Sequence, residues 1–455
     1  MSSRDILMSA NVTFWMADVG RAGVNDEGRG IAFDNTGNVY VAGYPETSFT
    51  VRDPWFLAKY AADGSLIWQK NITGGGSATQ IPDDQPLSMI ISGNFIYMFG
   101  SFDQKLSILK IDLDGTVIWR TGLNLAFGAN INGIESSRAG DSIAVDVSNN
   151  VYVCRGINTD SFFVAKFNSS GVLQWQTLIK PSSSSLFVPA CITITQQSPG
   201  YGVTERVFVH GYHFPGFSST PISTLTTIDL NGNVLSYDEL TTGATEKVYS
   251  AGAVVFGASS TKYLAFTTDA NVVYVAGFNG TWTSKITGFP STTVNGTRGG
   301  ITNTGYDNPF GSEEFVYSCF CVSNQIYIFK HNKFGTLMFQ RVISLAPTFT
   351  LRIKRIRADK SGNLYFVGTS TVVEQSASTN IFFGKIPTDG SLTGTYMLGA
   401  SPNGYVTYAA STLSTTSGTV GLSSFAYTAL TPTYTTVVPT TTTSAATFSS
   451  TTVII

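Results

Sequence analysis

FLAKYAADGSLIWQ (residues 56–69), SILKIDLDGTVIWR (107–120) and FVAKFNSSGVLQWQ (163–176) superimpose without a gap, and YIFKHNKFGTLMFQ (327–340) follows the same pattern. Fainter copies are TTIDLNGNVLSY (226–237), YVAGFNGTWTSK (274–285) and FGKIPTDGSLTG (383–394). Their turn glycines are Gly64, Gly115, Gly171, Gly232, Gly280, Gly335 and Gly390, separated by 51, 56, 61, 48, 55 and 55 residues. A period of this size marks an array of supersecondary units, none of which can bury its apolar surface alone. Seven units are expected.

Upstream of several copies stands a second pattern, seen in IAFDNTGNVYVAGY (31–44), IAVDVSNNVYVCR (143–155) and IRADKSGNLYFVG (356–368). It reads as an alternating strand, an Asp/Asn/Gly turn and another strand. Each unit is then a meander of four short strands, A to D, and Asp63-Gly64 implies a two-residue loop between C and D. Four-stranded sheets at this period stack radially into a β-propeller, which buries both faces of each sheet and leaves only short edges. The expected fold class is an all-β propeller of about seven four-stranded blades, with eight as the open alternative.

GRGIAFDNTGNVYVAG and FLAKYAADGSLIW, within residues 28–68, resemble the family of short β-propeller repeats, whose hallmark is GxxxDxxGNxYVxG followed by FxAKxxxxGxxxW. Recognisable copies reach about residue 394. The resemblance implies a propeller and transfers no activity, because the family is defined by its scaffold.

A ring needs closing. VTFWMADV (12–19) reads as an isolated D strand with Trp15 in the place of Trp68, suited to completing a blade near the C-terminus. Two domains are expected: a propeller over 1–402 and an uncharged Thr-rich segment over 403–455. After Asp389 the remaining 66 residues contain no Asp, Glu, Lys or Arg. Such a segment adds strands to the propeller, runs along a partner, or forms a glycosylated stalk, and blade completion with partner docking is the favoured reading. YVTYAAS (405–411) and TVGLSSF (419–425) are the candidates for an eighth blade.

The 455 residues carry 27 Lys plus Arg against 29 Asp plus Glu, and only 12% are charged. That is about half the ~25% usual in soluble proteins. With net charge −2 no basic field holds a phosphate backbone, so nucleic acid is not the expected partner. No apolar run has the roughly 18 residues of a membrane span, so no membrane insertion is expected, and no secretory signal stands at the N-terminus. Cys154, Cys191, Cys319 and Cys321 are spaced irregularly and read as small apolar strand residues.

In five copies a Lys stands five residues before the turn glycine, and in four of these an aromatic stands four residues after it. The pairs are Lys59 with Trp68, Lys110 with Trp119, Lys166 with Trp175, and Lys330 with Phe339. They are expected to face each other across strands C and D, stem over ring, as structural pairs.

Chemistry is harder to find. Asp63-Gly64 and Asp114-Gly115 are adjacent, which separates these hairpins from the sialidase Asp box, and no phosphate loop, nucleophile elbow or HExxH run appears. His210 and His213 read as a strand-end pair, with no third ligand at metal spacing. No cofactor or metal is expected. Loops following strand B, beginning at Tyr44, Ser101, Arg155, Tyr212 and Thr369, would form an aromatic, mildly polar mouth, with Tyr44, Arg155, Tyr212 and His213 as candidate ligand-binding residues.

The expectation is a non-enzymatic propeller, a structural or attachment component that binds other proteins of a larger assembly. A virus particle is the natural setting, giving a virion or external location, with cytoplasmic as the alternative. A lectin or adhesin binding glycans or proteins at a cell surface is the second reading, and a hydrolase or lyase the third.

Overall fold

The computed structural model describes residues 15–20, 25–46, 54–74, 85–102, 105–124, 141–157, 161–181, 186–195, 205–214, 222–242, 248–251, 255–256, 262–268, 272–278, 282–287, 289, 299–303, 315–322, 325–345, 351–359, 361–370, 379–387, 389–391, 393–397, 405–411, 414–417, 420–424, 427–430, 435–437, 441–445 and 449–454. These form seven antiparallel sheets and no helix.

Blade 1 is Asn25–Phe33, Val39–Glu46, Trp55–Tyr60 and Leu66–Gly74. Blade 2 is Pro86–Ser92, Phe95–Phe102, Lys105–Asp112 and Val117–Asn124, and blade 3 is Ile143–Val145, Val151–Ile157, Ser161–Phe167 and Leu173–Pro181. Blade 4 follows as Leu186–Ile194, Val207–Phe214, Ile222–Ile228 and Val234–Thr242. In blade 5 strand A is Val248–Ala251, supplemented by Val255–Phe256, before Lys262–Thr268, Val273–Phe278 and Trp282–Thr287. Blade 6 is Gly299–Asn303, Phe315–Val322, Gln325–Asn332 and Leu337–Leu345. Blade 7 takes Leu351–Ala358, Leu364–Ser370 and Asn380–Ile386 from the end of the repeats and its D strand, Trp15–Gly20, from the N-terminus. Each blade packs on the next and blade 7 on blade 1, which closes a seven-bladed ring.

The C-terminal segment goes round this ring backwards. Tyr405–Ala410 pairs with strand D of blade 6, and Ser414–Ser417, Val420–Ser424, Tyr427–Leu430, Thr435–Val437 and Thr441–Ala445 take the outer edges of blades 5, 4, 3, 2 and 1. Ser449–Ile454 ends the path on the closing strand Trp15–Gly20. All seven pairings are antiparallel. The segments expected to build an eighth blade, 405–411 and 419–425, therefore contribute Tyr405–Ala410 and Val420–Ser424 as rim strands of blades 6 and 4 instead. Gly394–Met397 pairs with Tyr405–Ala410 across the 402/403 division.

The loop between C and D differs from the two-residue turn expected. In blade 1 Ala61 N–H donates to Ser65 O at 2.8 Å and Gly64 N–H to Ala61 O at 2.9 Å, with Gly64 at φ +86°. This is a three-residue loop, a type I turn followed by a left-handed glycine. The loop alone would put residues summing to 126 opposite each other, as Tyr60 and Leu66 do. A β-bulge then inserts Ile67, and Lys59 comes opposite Trp68. Lys110 faces Trp119, Lys166 faces Trp175 and Lys330 faces Phe339 by the same device.

The lysine's partner ring is chiefly elsewhere. Its ammonium lies over strand B tyrosines: Lys59 is 5.3 Å from the Tyr40 ring centroid and Lys166 is 5.3 Å from that of Tyr152. Lys110 and Lys330 also lie over Phe95 and Phe315, at 3.9 and 4.1 Å. The tryptophan instead reaches the following blade. Trp15 Nε1 donates to Ala62 O at 3.1 Å, Trp119 to Ser169 O at 3.1 Å, Trp175 to Leu230 O at 2.7 Å and Trp282 to Lys333 O at 2.9 Å. Every acceptor lies two residues before the next blade's turn glycine. The glycine is required because the indole lies against it: a Cβ on Gly171 would sit 2.8 Å from Trp119 Cε3 and from Thr121 Oγ1. Thr121 and Thr177 add hydroxyl bonds to Gly171 O and Gly232 O, both 2.7 Å. The repeated motif thus welds blade to blade.

Strand A meets strand B through the other half of the motif. Asp34 accepts from Thr36 N and Asn38 N at 2.9 and 3.0 Å, and from Tyr40 Oη at 3.1 Å. Asp146 with Tyr152 and Asp359 with Tyr365 repeat it. The four cysteines lie in strands, three buried and Cys321 half-buried.

Candidate functional site

A meander places its A–B and C–D turns on one face of the ring and its B–C and blade-to-blade connections on the other. The first strands line the axis. They are bulged: register shifts leave Arg29, Leu87 and Lys354 as extra residues in blades 1, 2 and 7. Bulges re-aim side chains, and here they help gather a charged cluster from several blades.

Asp141 stands just ahead of strand A of blade 3. Its Oδ1 is 3.2 Å from Arg355 Nε and its Oδ2 2.5 Å from Arg357 Nη2, both on blade 7, and Ser88 of blade 2 donates to Oδ1 at 3.1 Å. Arg355 Nη2 donates to Leu87 O at 2.7 Å and Nη1 to Lys354 O at 2.7 Å. The Asp141 carbonyl accepts from Ile192 N of blade 4 at 2.6 Å. Glu27 Oε2 is 2.6 Å from Arg29 Nη2 and 3.3 Å from Lys354 Nζ. Blades 7 and 3 are not neighbours, so these bonds cross the axis.

Arg29, Lys354 and Arg355 are buried. Burial alone would raise the Asp141 carboxyl, but Arg357 and Arg355 beside it outweigh burial and hold it below the usual carboxylate range. Burial pushes Arg355 down to about 10, with Asp141 opposing the shift, so it stays cationic at neutral pH. Both acids are committed to ion pairs. The cluster acts as a tie across the axis.

The candidate ligand-binding residues lie in strands, not in the loops expected after strand B. Tyr44 is 3% exposed within Val39–Glu46, and Arg29 Nη2 donates to its hydroxyl at 3.2 Å. Arg155 is half-buried opposite Phe163. Tyr212 is buried opposite Ser223, and His213, fully buried, has Nε2 2.8 Å from Glu239 Oε1. His210 lies 2.8 Å from Ser223 Oγ. Ser101 and Thr369 are likewise strand residues. The four candidates belong to blades 1, 3 and 4, with blade 2 between the first two. The connections beginning at 47, 158 and 215 lie outside the described residues. Among the described residues no group of three or more His, Cys, Asp or Glu is placed to hold a metal ion.

Sequence reasoning passed over Glu27, Arg29, Asp141, Lys354, Arg355 and Arg357. One signal was present: LRIKRIR (351–357) packs four cations into six positions of a chain with only 27.

Residues 15–44 match the family model described as a beta-propeller repeat. The match covers 30 of the chain's 455 residues. It spans the closing strand and the A–B hairpin of blade 1. No curated protein matches the chain. Among solved structures, a protein of unknown function from Dyadobacter fermentans is 12% identical, with 81% of this chain and 97% of that one covered and a TM-score of 0.39. The polysaccharide lyase Uly1 is 8% identical over 80% of this chain and 90% of its own, with a TM-score of 0.41. A putative oxidoreductase (glucose dehydrogenase) from Thermus thermophilus is 10% identical over 81% and 99%, with a TM-score of 0.32.

Proposed function

We propose that this propeller is a non-enzymatic structural or attachment component of a larger assembly, held there through its rim. The supporting observation is that, in all seven sheets, the outermost described strand comes from the segment after Asp389, which has no charged residue. Natural proteins blunt strand edges with charges, above all lysine. Seven uncharged edges in one ring call for a partner that covers them. The axial acids, engaged with arginine and lysine, favour this reading over a hydrolase or lyase. A virus particle is one assembly that fits.

Photo-activatable residues placed along 405–454 test it in the native assembly. The reading predicts adducts to other polypeptides from several blades of the rim. A 48.7 kDa species that sediments as a monomer at all concentrations and gives only internal adducts would overturn it.

A further inference from the structure

Every exposed large hydrophobic side chain among the described residues lies on the face of the A–B and C–D turns. The regularity has a structural origin. The bulge between strands C and D, which brings the repeat lysine opposite its aromatic in blades 1, 2, 3 and 6 and Thr227 opposite Ser236 in blade 4, leaves one residue of strand D unpaired. In blades 1, 2, 4 and 6 that residue is Ile67, Ile118, Leu235 or Met338, each 45 to 52% exposed. Phe334, in the turn of blade 6, is 73% exposed. The rim strands do not reach this band: on blade 1 they pair with residues 70 to 74, on blade 4 with 238 to 242 and on blade 6 with 341 to 345. A bulge residue is open to any side chain, so nothing in the hairpin demands an aliphatic one there. Its recurrence around the ring marks an apolar contact surface.

The charge beside this band is negative and faces outward. Asp63, Asp114 and Asp389 are exposed. Among the described residues Asp63 accepts only within its own turn, from Ser65 N and Oγ at 2.9 and 2.7 Å, and Asp389 accepts from Ser391 N at 2.8 Å. The lysines of the same hairpins point inward: Lys110, Lys330 and Lys385 are buried over aromatic rings. Lys70 gives its ammonium to the Asp114 carbonyl at 2.5 Å, and Lys333 lies over Phe334. A second copy of this face would bring carboxylate against carboxylate, and an anionic lipid surface would be repelled in the same way.

We propose that the turn face docks a protein whose contact surface alternates aliphatic side chains with lysine or arginine. The proposal takes from the assembly reading only the existence of a partner, and it uses a different surface from the rim.

Hydroxyl-radical footprinting compares the isolated chain with the chain in its native assembly, and carbodiimide then joins touching carboxylates to lysines. Labelling of Ile67, Ile118, Leu235, Phe334 and Met338 is expected to fall several-fold in the assembly, with Asp63 or Asp114 joined to lysines of another polypeptide. The variant carrying Ile67→Ser, Ile118→Ser, Leu235→Ser and Met338→Ser should fold and leave the assembly. Equal labelling in both states overturns the proposal while rim adducts still uphold the assembly reading. Loss of both protections sinks that reading as well. Cross-links to this chain's own turns, or flotation of the isolated chain with vesicles, would make the occupant a second copy or a membrane and equally refute the inference.

Discussion

Replacing Trp15 by alanine tests the ring closure at a side chain that joins blade 7 to blade 1. Trp15 is fully buried in a strand supplied by the opposite end of the chain, lies edge-on to Phe383 at 5.8 Å, bonds Ala62 O and rests on Gly64 of blade 1. Truncating a buried tryptophan costs about 3 to 5 kcal/mol. Of this, the indole hydrogen bond contributes about 1 kcal/mol and the aromatic pair about another. Unfolding entropy of about 2.1 cal/mol/K per residue, applied to 455 residues, is about 1 kcal/mol/K, so a ring melting as one unit should lose about 4 °C in Tm. Trp15→Phe keeps the ring body and surrenders only the N–H, for about 1 to 2 °C. Trp119→Ala, at a half-exposed indole between blades 2 and 3, should fall between them. Scanning calorimetry with limited proteolysis of the N-terminal strand reads all three. An alanine variant that melts with the parent, or a phenylalanine variant as damaged as the alanine one, would refute this account of closure.

Other positions yield separate outcomes. Gly171→Ala, at φ +80° with the indole of Trp119 in the way, should be destabilised by about 1 to 3 kcal/mol more than Gly93→Ala, at φ +57° with open space around its Cβ; equal urea midpoints would contradict the latch. Asp141→Asn leaves Arg355 and Arg357 without their acid and should cost about 3 kcal/mol at pH 7. Because the folded Asp141 carboxyl lies below the unfolded value of about 3.9, its contribution is complete above that value and is lost as pH falls through the folded one; the deficit of the variant should shrink in strong acid. Burial depresses His331 to about 4 against about 6.5 unfolded, so its neutral form stabilises the fold fully above pH 6.5 and loses about 3 kcal/mol as pH falls towards 4. Denaturation midpoints of His331→Gln that track the parent over that window would exclude it. Tyr40→Phe, which removes bonds to Asp34 and to Leu113 O of the next blade, should cost about 1 to 2 kcal/mol by the same measurement.

The architecture was legible because it repeats. The turn glycines gave blade number, and Trp15 gave the closing strand. The hairpin register emerged even though the loop was misread, because the three-residue loop and the bulge displace it in compensating directions. What the tryptophan does was not legible, since its acceptor lies about 50 residues downstream in another blade. The axial tie was hidden for a similar reason: Asp141 and Arg355 are 214 positions apart, with the whole of blades 3 to 6 between them in the sequence. Tyr44, Tyr212 and His213 looked like mouth residues because they follow the strand B signature, yet the strands run one or two residues further and bury them. The C-terminal path left no periodic mark. Thr-rich strands of three to six residues carry no repeat motif, and their order is fixed by the edges they meet.

The most direct test is a density map of the isolated full chain in which individual strands are resolved. The account predicts seven sheets in a closed ring, residues 15–20 lying between 380–386 and 449–454, and one strand from the segment after Asp389 on the outside of every sheet. An eighth sheet, an open ring, or a C-terminal segment that leaves the blade edges bare would contradict it.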